Sequence, residues 1–244
     1  GYNVPTPNLQ RFAGEGIVFR HAFNGGPTCS PSRACLLTGM CAHVNGMLGL
    51  AHRGFSLNDY TQHLAPFLGR NGYETALSGE QHVAKDPAII GYEHILPPLS
   101  DHGDPMRDWV EAHGTERMKR AGSNDLDRAY AAADFIRRRR RHQERPFFLS
   151  LGMWSTHREY PQVAEDINPA LAGPPAPIHD TGDTRRDFAQ YMTMVRYADY
   201  CFGVVYRALE ENGMLDDTLV FFTTDHGIAF PFMKCRLNDA GTGV

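Results

Sequence analysis

Four short apolar runs, at residues 17–23, 73–79, 146–152 and 218–224, are separated by stretches with helical spacing. A short run that is apolar on both faces belongs in a sheet covered on two sides, and parallel neighbours in such a sheet need helical crossovers between them. The alternation predicts an α/β fold: a mostly parallel or mixed central sheet flanked by helices. Three of the runs end in groups that contain histidine: Glu80-Gln81-His82, Trp154-Ser155-Thr156-His157 and Asp225-His226-Gly227. Open α/β sheets put their sites in loops beyond the strand C-termini, so chemistry is sought there first.

Between the strands, residues 6–13 read as a short helix ended by Gly14 and Gly16. Residues 59–69 read as a helix through Tyr60, Leu64, Phe67 and Leu68, closed by Asn71-Gly72. Residues 43–47 read as loop, and His43, His52 and His63 as surface or packing residues rather than ligands. The stretch 87–122 is irregular apart from a polar helix candidate over 106–113. A strong helix opens at Ser123-Asn124-Asp125-Leu126-Asp127 and ends in the arginine run 137–141, where cations complement the helix dipole. That run reads as a solvated helix end rather than a nucleic-acid patch. A proline- and glycine-rich loop over 161–183 precedes a long amphipathic helix over 187–211, whose methionines and aromatics read as core. With 42% hydrophobic and 21% charged residues the chain has an ordinary globular composition, and a net charge of −4 gives no sign of nucleic-acid binding. No apolar run reaches the length of a membrane span. Its 244 residues suit one large domain or two small ones. The start, Gly1 to Pro5, does not read as a signal peptide. The five cysteines do not match zinc spacings, and a disulfide scaffold is not expected at this size.

One stretch carries more chemistry than the rest. Gly25, Gly26 and Pro27 lead into Cys29-Ser30-Pro31-Ser32-Arg33, followed by Ala34-Cys35-Leu36-Leu37-Thr38-Gly39. Pro31 suits the first position of a helix and Gly39 its C-cap. Cys29 then sits just before a helix N-terminus, where free N–H groups and the dipole favour an anion, and Arg33 adds a fork of donors suited to a tetrahedral oxyanion. The residues alone describe a nucleophile beside an anion cradle; a buried structural cysteine on a capped helix is the plainer alternative. Asp225 and His226 are of the residue types that pair on a metal, although Asp225-His226-Gly227 by itself reads as a polar turn. His157 is a candidate general acid, because imidazole can protonate a leaving oxygen near neutral pH.

The string Cys29-Ser30-Pro31-Ser32-Arg33 with Leu37-Thr38-Gly39 resembles the signature of the type I sulfatases of the alkaline phosphatase superfamily. The resemblance implies oxidation of Cys29 to formylglycine by a formylglycine-generating enzyme, with the hydrated aldehyde as nucleophile. It implies a divalent metal, calcium by family, at Asp225 and His226, although histidine is less typical of calcium than oxygen ligands. His82 matches a sulfate-contacting histidine and Lys234 a sulfate-binding lysine. His157 matches the histidine of the loop after the strand. Glu80 departs from the pattern: it stands where the family has a lysine, and a carboxylate there repels sulfate unless another cation compensates. The implied substrate is a sulfated small molecule or sulfated glycan. Residues 45–55 look most like the heparan N-sulfatase (sulfamidase)-like branch. A periplasmic, secreted or lysosomal setting is implied as well. Under the resemblance, residues 1–244 form the N-terminal catalytic α/β domain, without its first metal-binding strand and its C-terminal part. Two rivals stay open: a phosphodiesterase or phosphonate monoester hydrolase of the same superfamily, and a degenerate, non-catalytic anion-binding homologue.

Overall fold

The computed structural model describes residues 4–120, 122–139 and 145–244. Following the chain, α1 (Pro7–Glu15) starts at Pro7, whose missing N–H costs nothing there. Residues 17–23 form no strand: only Phe23 makes a bridge, antiparallel to Gly243, and Ile17 and Phe19 stay exposed. α2 (Cys29–Thr38) begins at Cys29 itself, with Thr28 as N-cap, so Cys29 is the first helical residue rather than the one before it, and Pro31 is the third. Gly39 ends the helix at φ 67°, a left-handed conformation that glycine adopts without strain, and its N–H bonds back to the Cys35 carbonyl.

Residues 43–47, expected as loop, include most of the short α3 (Ala42–Asn45). The helix expected over 59–69 is broken at His63: a 3₁₀ turn spans Tyr60–Gln62 and α4 spans Leu64–Arg70. His63 is fully buried, and its Nδ1 accepts the Ala65 N–H at 3.1 Å, capping α4. β1 (Glu74–Gly79) follows. The irregular stretch beyond it hides a short strand, β2 (His94–Leu96). Further on, α5 (Met106–His113), α6 (Glu116–Lys119) and α7 (Asp125–Arg137) precede β3 (Phe147–Gly152). Arg140 and Arg141 of the arginine run lie outside the described residues. α8 (Gly182–Glu211) starts five residues earlier than its apolar pattern, because Thr181 and Thr184 form a reciprocal capping box ahead of it. Residues 218–224 form no strand either: no described segment pairs with them, and Leu219 and Phe221 are 96% and 64% exposed. Apolar, β-prone side chains favour a strand only where a ladder partner exists. α9 (Asp239–Thr242) closes the described chain.

The described residues fall into two compact units. The first draws on 1–18, 97–141 and 153–217. Its core lies where α7 and α1 pack on α8. Ala129, Ala132 and Ala133 on α7 are fully buried, as are Met194, Cys201 and Ala208 on α8. Asp199, on α8, takes the Leu9 N–H at 2.7 Å and the Asn8 amide at 2.8 Å. That satisfies the start of α1, where Thr6 supplies no cap of its own.

The second unit draws on 19–96, 142–152 and 218–244. It holds a three-stranded parallel sheet in the order β2-β1-β3, with Leu77 of β1 opposite Ile95 and Ser150. β1 is the central strand and is buried along Thr75–Ser78, whereas β3, the sequence's candidate for a central strand, is half-buried and paired on one side. α4 packs on β1. Ala34 of α2 joins Met47, Leu57, Val83, Ala84 and Ile90 in one buried cluster, which ties α2 to the loop after β1.

Candidate functional site

α2 presents Cys29 at its N-terminal end, buried, with Ser30 fixed beside it by the Ala51 N–H, which donates to the Ser30 Oγ at 3.1 Å. Three segments of the same unit meet Cys29. His226 Nε2 lies 3.2 Å from the Cys29 Sγ, and Lys234 Nζ lies 3.7 Å from it. His82, just past β1, also hydrogen-bonds the thiol. The 225–227 loop is held by the Gly227 N–H, which donates to the Gly241 carbonyl at 2.9 Å. The Lys234 loop is held by the Cys235 N–H, which donates to the Pro27 carbonyl at 2.9 Å. The His226 Nδ1 stands 2.8 Å from the Gly227 carbonyl, which can only accept, so Nδ1 carries a proton and Nε2 faces the sulfur. Burial opposes ionisation of Cys29, but the bonds from His226 and His82, with the Lys234 charge, outweigh it and bring the thiol down to about 5. The cysteine is held as a thiolate near neutral pH. The same contacts act in return. His82 is pushed up to about 9, first by its bond to Cys29 and then by Glu80, and His226 is raised despite its burial.

Arg33, one turn along α2, donates from Nε to the Asp225 Oδ2 at 2.9 Å and from Nη1 to the Glu80 carbonyl at 3.3 Å. Burial works against the Asp225 charge, yet Arg33, His226 and Lys234 together hold its carboxyl below the usual range. Glu80 does not face the anion cradle uncompensated: its carboxylate lies 3.1 Å from the His82 Nε2. His82 sits at φ 53°, an uncommon conformation for a residue with a Cβ and of the kind that collects at functional sites. Cys29, Asp225 and His226 offer ligand atoms within 4.8 Å of one another, the one such group of three among the described residues. A carboxylate and an imidazole fit a divalent cation. Calcium, which takes six to eight oxygens, needs more oxygen donors than these residues bring.

The Sulfatase family profile matches residues 1–237. The chain belongs to the sulfatase family. It is 30% identical over 265 residues to the human N-sulphoglucosamine sulphohydrolase, with 98% of this chain and 49% of that protein aligned. It is likewise 30% identical over 257 residues to the human N-acetylgalactosamine-6-sulfatase, covering 92% of this chain and 45% of the relative. The chain thus spans about half the length of the curated relatives it matches. Among solved structures, Ps i-CgsB in complex with k-i-k-neocarrahexaose superposes with a TM-score of 0.69 at 22% identity, over 98% of this chain and 59% of that one; this likeness concerns the fold. The mostly parallel or mixed sheet flanked by helices that the alternation predicts is borne out by the parallel sheet here, and the sulfatase likeness carried by residues 29–39 by these comparisons.

Of the residues singled out in this sulfatase's sequence, Cys29, Arg33, His82, Asp225, His226 and Lys234 all belong to the sheet unit and form the constellation above. His157 is carried by the helical unit. There it follows β3 in a turn closed by its own N–H, which donates to the Trp154 carbonyl at 2.9 Å. Its ring packs on that of Trp154, with centroids 4.1 Å apart, and the Arg117 guanidinium covers Trp154 at 3.6 Å. The sequence reading missed Asp125, which it took for a helix-start acid. Its carboxylate is buried and bonds this turn, and partners 29 and 30 residues away leave no local signal.

Proposed function

We propose that this chain hydrolyses sulfuric esters or sulfamates, with residues 1–244 contributing the α/β catalytic domain. The observation that carries this reading is the convergence of His226, His82 and Lys234 on one buried cysteine at the start of α2. Beside it stands an arginine paired with an ionised aspartate. Arg33 and Lys234 supply the positive charge that a sulfate needs as it loses its water. His82, raised first by its bond to Cys29 and then by Glu80, adds a third cation beside the position where the family has a lysine. His82 or His157 protonates the leaving oxygen or nitrogen.

Once Cys29 is oxidised to formylglycine by a formylglycine-generating enzyme, position 29 supplies a hydrated-aldehyde oxygen as nucleophile. Asp225 and His226 would hold a divalent cation, which would supply Lewis-acid polarisation of the sulfate; calcium, the metal the family resemblance implies, would need further oxygen donors beside them.

The names of the two human relatives support an amino-sugar sulfate as substrate class. The sequence of residues 45–55 favours N-sulfated glucosamine among these. Two measurements test the reading. Peptide mass spectrometry across Cys29, on protein from the native host, is expected to show formylglycine. A panel of aryl sulfate, N-sulfated glucosamine, O-sulfated sugars and an aryl phosphodiester is expected to show turnover of the sulfates. Unmodified cysteine together with preferred cleavage of the phosphodiester sinks the proposal. Turnover of O-sulfated sugars alone sinks the N-sulfate assignment.

A further inference from the structure

Asp125 is the first residue of α7, and a carboxylate there ordinarily stays in water near the helix N-terminus. In this chain it is buried, at 3% exposure. Its Oδ1 accepts the Trp154 N–H at 2.7 Å. Its Oδ2 accepts the Ser155 N–H at 2.8 Å and the Ser155 hydroxyl at 2.7 Å. The Arg128 Nη1 stands off at 3.8 Å from Oδ1. A charge taken out of water is tolerated only where its lone pairs are met, and here two consecutive backbone N–H groups and one hydroxyl meet them. Those N–H groups open the turn that ends at His157. The turn is closed by the bond from the His157 N–H to the Trp154 carbonyl, and the Trp154 ring contacts both the His157 ring, tilted by 31° against it, and the Arg117 guanidinium. A shift of the Trp154 backbone therefore carries the His157 ring with it.

We infer that Asp125 is a positioning residue, which sets the place of the His157 imidazole by holding the two N–H groups at the start of its turn. The inference rests on the reading that His157 takes part in the reaction. Asn at this position keeps the shape and one acceptor, but turns an amide N–H₂ toward donors that had an oxygen.

The test is a double-mutant cycle in the full natural chain, assayed on an aryl sulfate. Asp125→Asn is expected to lower kcat roughly 10- to 100-fold, the scale of a small misplacement of a reacting group, and to leave KM within about twofold. In a His157→Ala background the same substitution is expected to do nothing further, because its effect passes through the missing imidazole. An equal loss of kcat in both backgrounds, or a change confined to KM, overturns the inference and leaves Asp125 an anchor of the fold. His157→Ala with wild-type kcat removes the reading beneath it, whatever Asp125→Asn does. Where Asp125→Asn fails to fold, Ser155→Ala deletes one of the three donors and spares both backbone bonds. It is expected to lower kcat roughly 2- to 5-fold, again only when His157 is present. An unchanged kcat, or the same loss without His157, overturns the inference.

Discussion

Asp125 in the helical unit and Asp225 in the sheet unit are both carboxylates drawn out of water, and they are satisfied by opposite means. Asp225 is surrounded by charge: Arg33 at 2.9 Å, with His226 and Lys234 adding to the field, and its carboxyl is held below the usual range despite burial. Asp125 is hydrogen-bonded by neutral donors, two backbone N–H groups and a hydroxyl, with the Arg128 charge no nearer than 3.8 Å, and burial prevails, so its carboxyl is raised. Cations lower the energy of the anion and can also turn toward an incoming anionic substrate. Neutral donors fix the backbone that supplies them. The first environment makes a reactive site and the second makes a jig.

The sharpest way to break this contrast is to remove the cations from the first carboxylate. Arg33→Ala leaves Asp225 without its closest counter-charge and the anion cradle without its fork. The expected loss in kcat/KM on an aryl sulfate is on the order of 10³-fold, and melting by circular dichroism should show a destabilisation of about 2–3 kcal/mol. A loss under tenfold means that the fork does not serve the reaction. Asp125→Ala ranks next. It leaves three part-buried donors without their acceptor at once, and about 3 kcal/mol of unfolding free energy is expected to disappear in urea titrations. Ser155→Ala removes one neutral hydrogen bond and is expected to cost about 1 kcal/mol in the same titrations.

The smallest effect is the slope with pH. A carboxyl whose folded pKa lies above its unfolded value holds its proton longer in the folded chain. Its contribution to stability is then greatest at low pH and declines as pH rises through the folded value. Relative to the non-titrating Asp125→Asn, the wild-type chain is therefore expected to lose stability as pH rises from the ordinary aspartate range toward neutrality. Parallel urea midpoints across that range would refute the raised carboxyl.

Much of the candidate site in the sheet unit was legible because its residues sit in short strings, although only Glu80 to His82 lies just past an observed strand. Cys29 to Arg33, Glu80 to His82 and Asp225-His226 each announce themselves locally, and the fold only brings them together. Helices with strong ends were legible for the same reason: α5 spans the expected residues, and Asn212-Gly213 ends α8 as read. The misses share a cause as well. Residues 17–23 and 218–224 have the composition of strands, but composition cannot supply a ladder partner. β2, at three residues, is too short to show a period, and it exists because β1 offers it a parallel edge. His63 read as the middle of a helix because apolar spacing runs through it, while its ring caps the helix that follows. Asp125 owes its role to backbone groups about thirty residues away, and no reading of its neighbours reveals them.

The end of β3 has a consequence for how such a site changes over generations. A Cβ added to Gly152 would meet the Glu80 carbonyl oxygen at 1.7 Å, and the Glu80 N–H donates to the Gly152 carbonyl at 2.8 Å. With Arg33 also holding the Glu80 carbonyl, the main chain at position 80 is clamped from two sides while its side chain points to His82. A change of side chain at position 80 can therefore leave the main chain in place while altering the charge that faces His82, and through it Cys29. A single codon there retunes the charge of the cradle, whereas almost any substitution at Gly152 would force the frame itself to move.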